Sequence, residues 1–425
     1  MNLSHDSLSF ISLIEQCPTA VHTRDFLAKQ LLSRGFLPLK EEESWVLAPG
    51  KGYFVHRGQS GLAAFRVGDG NPAETGVSIG VAHTDSPGLK VKILSQEKSN
   101  NLLRVGVEVY GSPILSTWFD RELSLAGQIV TLENGSIHIH PVDLKEPLGI
   151  IPNLAIHYNR DVNKGGFIID PQNHLSVLMT LDKPEQNSLE EMLALRLGIE
   201  PGKIIDQDLF FYPLQKPSTL DGRLLISGRI DNLSGCHALL EGLTTTQPGA
   251  KTQMAFFFEA EEVGSLSLGG AHSSFLQDTV SRIVLSFGGG DEDIYRSRAG
   301  GFVISVDAAH ALHPNFTDRH DPRYSPLLGG GPVIKLSAGA KYATSGYSAT
   351  RFEQLCRTTN TPCQRYIIRS DLTSGSTVGP VTGALGGMET VDVGIPILAM
   401  HSARETCSLD DHNALIQVLR AFYAE

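Results

Sequence analysis

Apolar residues near the start of the chain recur at helical spacing, and the pattern then changes to that of strands. Leu8, Ile11 and Ile14 repeat every three residues, which predicts a helix with one apolar face. A second helix is predicted between Pro18 and Gly35, because Gly35 stands where a helix C-cap would. Three strands are predicted to follow, over Gly52–His56, Leu62–Val67 and Gly76–Ala82.

Residues 93–221 have mainly the pattern of β-strands. Val105, Val107 and Val109 alternate with polar or small residues, as in a strand with one buried face. Two further apolar stretches flank Glu133-Asn134-Gly135, and this turn sequence is a hairpin signal. The segment is therefore predicted to be a mainly β insertion.

Helical signals return at the end of this segment and continue through the rest of the chain. A helix is predicted near 188–198, opened by the capping-box pair Ser188 and Glu191. From residue 222 strands and helices alternate, and the last helix is predicted over 409–423. This order predicts an α/β core interrupted by a β-rich domain. The predicted domains are a discontinuous core of residues 1–92 and 222–425 and a β-rich insertion of residues 93–221.

Composition narrows the class of protein. Of 425 residues, 41% are hydrophobic and 19% are charged, which is typical of a globular protein. The net charge of −11 argues against nucleic-acid binding, which needs a basic face. The five cysteines are widely spaced and form no C-x-x-C pair, which argues against disulfides and zinc knuckles. The sequence shows neither a secretory signal nor a membrane span, so we expect no membrane association and a cytoplasmic location.

Polar residues that bind metals follow several of the apolar runs. Because ligands of open α/β sheets bind beyond the carboxyl ends of strands, we expect such side chains to converge. Four apolar runs are followed by such residues: Val77–Ala82 before His83, Met254–Phe258 before Glu261 and Glu262, Phe302–Val306 before Asp307, and Ile395–Met400 before His401. A fifth candidate, Asp231, stands between the apolar run Leu224–Ile230 and a helical stretch.

When one glutamate of the Glu261–Glu262 pair is counted, the ligand set is two imidazoles and three carboxylates without a thiolate. Such a set suits zinc, with manganese or cobalt as possible substitutes. Each residue alone also has an ordinary explanation. A histidine after a strand is often structural, and an aspartate before a helix is usually an N-cap. The pair Glu261 and Glu262 is different, because two carboxylates at the rim of a buried strand are costly unless a cation meets them. The joint pattern therefore favours a metal site.

The motifs around these positions resemble those of one enzyme family along essentially the whole chain. They are His83-Thr84-Asp85-Ser86-Pro87, Arg229-Ile230-Asp231-Asn232, Glu261-Glu262-Val263-Gly264-Ser265, Ser305-Val306-Asp307, Met400-His401-Ser402, Thr117-Trp118-Phe119-Asp120-Arg121 and Gly375-Ser376-Thr377. In this order and number they are similar to the aspartyl aminopeptidase family. The chain departs from the usual pattern at Glu259, where the family often has Asp, and at Lys341, where Arg is usual.

The resemblance implies an α/β fold whose core is a mixed sheet in an α/β/α sandwich, and a site with two zinc ions per subunit. In it His83 and Asp307 bind one ion, Glu262 and His401 bind the other, Asp231 bridges them, and Glu261 is the general base. Asp85 is expected to accept the imidazole N–H of His83 and fix its tautomer, although a plain turn residue before Pro87 is the alternative. Related dinuclear peptidases often have a cis peptide bond at the position of Asp231–Asn232.

The resemblance also implies substrate contacts and an assembly. Lys335 and Tyr342 match substrate-contacting positions, and His157 matches a histidine that reaches into the neighbouring subunit's active site. The inserted domain is implied to mediate dimerisation, with dimers building a tetrahedral dodecamer. The expected substrates are peptides with a free N-terminus, with Asp or Glu preferred as the first residue. An aminopeptidase for neutral residues, or a catalytically silent assembly protein, are the alternatives.

Overall fold

The computed structural model describes residues 3–181, 188–200 and 202–425. The chain forms two compact units. The first comprises Met1–Asp85, Pro217–Met400 and Glu405–Glu425, and the second comprises Ser86–Lys216 and His401–Arg404. Each unit has its own main sheet.

The strands are numbered along the chain within the described residues. They are β1 (Leu37–Leu39), β2 (Gly52–Arg57), β3 (Gly61–Arg66), β4 (Val77–His83), β5 (Gly88–Ser99), β6 (Leu102–Tyr110), β7 (Leu123–Glu133), β8 (Ser136–Asp143), β9 (Val177–Leu181), β10 (Ile204–Pro213), β11 (Ser218–Leu220), β12 (Leu224–Ser227), β13 (Thr252–Phe258), β14 (Phe302–Val306), β15 (Ala309–His310), β16 (Val333–Lys335), β17 (Gln364–Tyr366), β18 (Glu389–Gly394), β19 (Pro396–Leu398) and β20 (Glu405–Ser408).

The α-helices are numbered in the same way. They are α1 (His5–Gln16), α2 (Ala20–Ser33), α3 (Pro72–Thr75), α4 (Val162–Gly165), α5 (Pro171–His174), α6 (Leu189–Leu197), α7 (Ile230–Thr245), α8 (Phe275–Ser286), α9 (Asp291–Ala299), α10 (Gly346–Thr358), α11 (Val378–Gly386) and α12 (Leu409–Tyr423). Short 3₁₀ helices cover Leu115–Trp118, Ile156–Tyr158, Glu261–Val263 and Thr317–Arg319.

A mixed nine-stranded sheet forms the centre of the first unit, in the order β1-β2-β3-β13-β4-β14-β18-β16-β17. Strands β13, β4, β14 and β18 run parallel to one another in the middle of this sheet. Their residues are almost all buried, because helices cover both faces of a parallel sheet. The prediction of a mixed-sheet α/β fold is confirmed.

Two apolar cores lie on the two faces of the nine-stranded sheet. One joins helices α1, α2, α7, α10 and α12 to the sheet, with Phe10, Leu239 and Phe422 at its centre. The other joins α8 to the opposite face through Phe275 and Ile283. The predicted helices at the chain start and at 409–423 are confirmed, and their apolar spacing supplies the first of these cores.

A second sheet in the first unit corrects one part of the sequence prediction. Its order is β11-β12-β20-β19-β15. The apolar run Ile395–Met400 is predicted to be one strand ending at His401, but β19 stops at Leu398. Ala399 and His401 then take positive φ angles of 56° and 66°, so the chain turns there. The run Leu224–Ile230 likewise ends as a strand at Ser227.

The second unit contains a six-stranded sheet in the order β8-β7-β10-β5-β6-β9. The predicted hairpin is present, with Glu133 paired to Ser136 at its turn. The helix predicted near 188–198 is α6, and the Ser188 hydroxyl accepts the N–H of Glu191 at 3.1 Å. This unit and the predicted insertion at 93–221 overlap over most of their length.

Two further features bear on the sequence predictions. All five cysteines are free thiols, and four of them are buried. No helix among residues 3–181, 188–200 and 202–425 is long and apolar enough to cross a membrane.

Candidate metal centre

Three neighbouring parallel strands bring several of the predicted site residues together at one edge of the nine-stranded sheet. His83 is the last residue of β4 and pairs with Phe258, the last residue of β13. On the other side of β4, strand β14 is followed directly by Asp307. Because the carboxyl ends of parallel strands meet at one edge, His83, Asp307 and the chain leading to Glu261 lie together, as predicted.

The imidazole of His83 is held in one orientation at this edge. Its Nδ1 lies 3.0 Å from the main-chain oxygen of Asp85, and a carbonyl oxygen can only accept a hydrogen bond. Nδ1 therefore carries a proton, which leaves Nε2 as the nitrogen that can bind a metal. Nε2 faces Asp231 Oδ1 at 3.6 Å and Asp307 Oδ2 at 3.9 Å.

The carboxylate of Asp85 also holds the glutamate pair. Its Oδ1 accepts the N–H of Glu261 and its Oδ2 accepts the N–H of Glu262, both at 3.1 Å. The same carboxylate lies 3.4 Å from Nδ1 of His83. Asp85 thus links β4 to the 3₁₀ turn at Glu261–Val263. The sequence indicates its contact with His83 but not its contact with the glutamates.

Asp231 is positioned by an irregular start to helix α7. Arg229 has a positive φ of 62°, and the Asp231–Asn232 peptide bond is cis, as the resemblance implies. The Asp231 N–H donates to Oε2 of the buried Glu405 at 3.1 Å. Asn232 Nδ2 donates at 2.7 Å to the main-chain oxygen of Val306, the residue before Asp307. The two aspartates are therefore held in register.

Asp307 has a buried cation beside it. Lys335 Nζ lies 3.5 Å from Asp307 Oδ1 and donates to the main-chain oxygen of Ala308 at 3.3 Å. The ammonium also lies 5.2 Å from the centre of the Tyr342 ring. Lys335 is only 2% exposed, so its side chain does not extend to the surface. The structure thus places two predicted substrate contacts, Lys335 and Tyr342, close to a predicted metal ligand.

Negative charge exceeds positive charge among the buried groups here. Asp85, Asp231 and Asp307 are all more than nine-tenths buried, and Lys335 is the lysine that accompanies them. Burial raises the pKa of Glu261 to about 7, and the neighbouring aspartates add to this increase. Burial also raises the pKa of Asp307. A site that disfavours its own carboxylate charges is stabilised by a bound cation.

The charge of His83 responds to the same surroundings. Burial lowers its pKa, but the carboxylates of Asp231 and Asp85 outweigh this effect and hold the pKa well above its usual range. A cation bound between these groups would take the place of a proton on Nε2, since a nitrogen that binds a metal must be deprotonated.

The positions of the donor atoms fit zinc. His83, Asp231 and Asp307 each offer one ligand atom within 4.8 Å of the others, and so do His83, Glu261 and Glu262. Tetrahedral zinc with bonds of about 2.0–2.1 Å has neighbouring ligand atoms roughly 3.4 Å apart. The 3.6 and 3.9 Å separations around His83 Nε2 are close to this value. Nitrogen and oxygen donors without sulfur agree with the same metal.

The remaining predicted residues belong to the second unit. His401 Nδ1 lies 3.0 Å from the main-chain oxygen of Ser112, the same kind of contact that orients His83. His157 is exposed in the 3₁₀ turn Ile156–Tyr158. Their roles as metal ligand and as substrate contact stay predictions.

Two buried carboxylates that support the site have no role in the sequence prediction. Glu405 accepts the N–H of Asp231. Asp392 accepts the N–H of Ala343, next to Tyr342, and the hydroxyl of Thr377, both at 2.6 Å. The contacts with Asp231 and Ala343 join residues that are 174 and 49 positions apart in the chain, so no local sequence pattern indicates them.

The chain is similar to known aminopeptidases along almost its whole length. The family model described as aminopeptidase I zinc metalloprotease (M18) matches residues 13–423. A relative from Clostridium acetobutylicum named probable M18 family aminopeptidase 2 is 41% identical over 423 residues, which is 97% of each chain.

Solved structures share the fold. One described as the Ape4 and Nbr1 complex is 31% identical, with a TM-score of 0.95 over 100% of this chain and 88% of that chain. Another, described as the S. cerevisiae mApe1 dodecamer, is 24% identical, with a TM-score of 0.86 over 99% of this chain and 96% of that chain.

Proposed function

Because the chain belongs to the M18 family of zinc aminopeptidases, we propose that it removes acidic residues from the N-terminus of peptides with two zinc ions. That it is a metallo-aminopeptidase follows from the family itself. The acidic preference, the number of metal ions and the roles of single residues are the proposal. The observation that carries it is the buried group of His83, Asp231 and Asp307 with its excess of negative charge.

Five residues would hold the two zinc ions. His83 and Asp307 would bind one, Glu262 and His401 the other, and Asp231 both. Zinc bound there would supply Lewis acidity, which lowers the pKa of water and polarises a carbonyl oxygen. The hydrogen bonds to Asp85 and Glu405 support this assignment, because they fix ligand orientation before any metal arrives.

Glu261 would move the proton. It accepts a proton from the attacking water and returns it to the leaving amine. Its N–H is held by Asp85, so the backbone that presents its carboxylate is fixed. A carboxylate oxygen of Glu261 also lies within 4.8 Å of possible ligand atoms of both His83 and Glu262. A role for Glu261 as a further ligand is therefore the alternative.

Lys335 is our candidate for the acidic preference. The protein has a net charge of −11, so an acidic substrate side chain needs a local cation. Lys335 is buried next to a proposed metal ligand and Tyr342, and His157 of a partner subunit would add a second donor. The second candidate function is an aminopeptidase for neutral residues. The ion pair between Lys335 and Asp307 favours it, because an ammonium that is fully paired with Asp307 would not bind a substrate carboxylate.

Replacing Lys335 by Met should distinguish these two functions. We expect kcat/KM on aspartyl peptides to fall roughly 30-fold or more, and on leucyl peptides far less, because a substrate carboxylate would be left unpaired. Release of free amino acid from both peptides, with and without a chelator, gives the measurement. Lys29→Met, at an exposed position of α2, is the matched control. Equal losses on both peptides would mean that Lys335 serves Asp307 rather than specificity.

We also propose that the active protein is a homo-oligomer, a dodecamer built from dimers, in which the domain at 93–221 mediates dimerisation. Two observations support this proposal: the similar S. cerevisiae structure is described as a dodecamer, and His157 is exposed. Native mass spectrometry should find an active species at a multiple of the 46.0 kDa chain mass. An active monomer would contradict the assembly. A cytoplasmic location is proposed as well, and cell fractionation tests it.

A further inference from the structure

Glu259 is a buried carboxylate, two residues before the proposed general base, to which the proposed mechanism gives no role. It is 6% exposed. Its Oε2 accepts the N–H groups of Ser60 at 2.5 Å and Gly61 at 3.2 Å, and its Oε1 accepts the N–H of Gly269 at 3.0 Å. The hydroxyl of Ser60 donates to it as well, at 3.3 Å. The carboxylate therefore accepts hydrogen bonds from four protein donors in two separate segments of the chain.

The surrounding backbone leaves little room for the carboxylate to move. A Cβ atom at Gly58 would lie 2.3 Å from Glu259 Oε1, and one at Gly269 would lie 3.0 Å from Glu259 Cδ. Gly58 also has a φ of +68°, a conformation that glycine adopts readily. The N–H of Glu259 itself donates to the main-chain oxygen of Gly269 at 3.2 Å. Side chain and backbone of Glu259 are thus both fixed.

The turn that holds Glu259 is also bonded to the segment of His83 and Asp85. The hydroxyl of Thr84 lies 3.3 Å from Ser60 Oγ and 3.1 Å from the main-chain oxygen of Phe258, and it can donate its one proton to either oxygen. The N–H of Thr84 donates to the same Phe258 oxygen at 2.8 Å. Ser60 therefore connects Glu259 to the residue between His83 and Asp85.

On its other side Glu259 leads directly into the glutamate pair. Ala260 has a positive φ of 59°, and this left-handed residue turns the chain out of strand β13. Glu261 and Glu262 follow, with their N–H groups on the carboxylate of Asp85. The chain carrying Glu261 is thus anchored at two points, by Glu259 before the turn and by Asp85 after it.

We propose that Glu259 is a positioning residue for Glu261, an inference that rests on the proposed function. Its carboxylate fixes the point at which the left-handed turn begins and so sets where the Glu261 carboxylate lies. Catalytic groups need placement within roughly 0.5 Å, and a misplacement of about 1 Å can cost on the order of 100-fold in rate. A shift of the turn at Ala260 would move Glu261 by such an amount.

Three variants of the zinc-loaded 425-residue protein test this. In Glu259→Gln one carboxylate oxygen becomes an NH₂ group, which cannot accept a hydrogen bond from the backbone N–H groups that it faces. We expect kcat on an aspartyl peptide to fall about 10- to 100-fold, with KM within about threefold of wild type and the zinc content unchanged. Glu259→Asp keeps the charge and the two oxygens, so it should recover a large part of the lost kcat.

Asp411→Asn is the matched control. Asp411 is also buried and accepts two backbone N–H groups, from Gly329 and Gly331, both at 2.7 Å. This variant should lose a comparable amount of thermal stability and keep its kcat. The proposal is overturned if Asp411→Asn and Glu259→Gln lose kcat equally, if Glu259→Gln loses zinc in proportion to kcat, or if it keeps kcat within about twofold of wild type.

A crystal structure of zinc-loaded Glu259→Gln gives a result that does not depend on activity. We expect the Glu261 carboxylate to be displaced by about 1 Å or more from its wild-type position. An unmoved Glu261 overturns the positioning role even if the wild type proves inactive. An inactive wild type with a displaced Glu261 would instead contradict the proposed function and leave the positioning role supported.

Discussion

Replacing Glu261 by Gln should lower kcat by a factor of about 100 to 10,000 while the zinc content stays the same. The amide keeps the shape of the side chain but cannot take up a proton. Without metal, burial raises the pKa of Glu261 to about 7, so its carboxyl group holds a proton more readily than an exposed glutamate does. Bound zinc ions would lower this pKa again. Turnover of an aspartyl peptide and zinc analysis of the same preparation give the measurement.

The same substitution at the neighbouring residue is the control. Glu262→Gln removes a proposed ligand, so we expect zinc and activity to be lost together. The N–H groups of both residues bond to Asp85 at 3.1 Å, so the two variants start from equally fixed backbones. Loss of zinc from Glu261→Gln would show that Glu261 is a ligand, and the division of roles would then be wrong.

Replacing Asp231 by Ala should remove both zinc ions and with them essentially all activity. One carboxylate that bridges two metals contributes to both sites, so its loss weakens both. Asp231 is 3% exposed, and its Oδ1 lies 3.6 Å from His83 Nε2. Metal analysis of the purified variant gives the stoichiometry, and circular dichroism shows whether the fold is kept.

His83→Ala provides the comparison for this variant. His83 is proposed to bind one of the two ions, so its loss should mainly weaken one site. We therefore expect more zinc to remain in His83→Ala than in Asp231→Ala. Two zinc equivalents retained by Asp231→Ala would contradict the bridging role.

The sequence predicts most of the central sheet and three parts of the site, because these depend on local patterns. Strands β4, β13 and β14 are continuous apolar runs, as expected of strands buried on both faces. Each run ends at or near a charged or polar residue, and parallel strands bring such ends together. Apolar runs and strand ends alone therefore suffice to predict that His83, Glu261 and Asp307 share one edge of the sheet.

Asp231 and His401 are predicted less well, because the local pattern at each is irregular. The apolar runs before them predict strands that reach the ligand, but β12 ends at Ser227 and β19 at Leu398. What places Asp231 is a positive φ at Arg229 and a hydrogen bond to Glu405. Neither of these features produces a periodic pattern of apolar residues in the sequence.

Contacts between buried charges are the part that sequence reasoning misses. Asp85 and Glu261 are 176 residues apart in the chain, and Ser60 and Glu259 are 199 residues apart. The sequence indicates Lys335 as a cation for the substrate, whereas in the fold it also pairs with Asp307. Such contacts depend on strand order across the sheet, which hydrophobic spacing alone does not specify.

Zinc titration of the metal-depleted wild type tests the central claim most directly. The protein is freed of metal with a chelator, and zinc is added back while the release of aspartate from an aspartyl peptide is followed. We predict no activity without metal and a maximum at two zinc equivalents per chain. Full activity in the metal-depleted protein, or a maximum at one equivalent, would contradict the dinuclear zinc site.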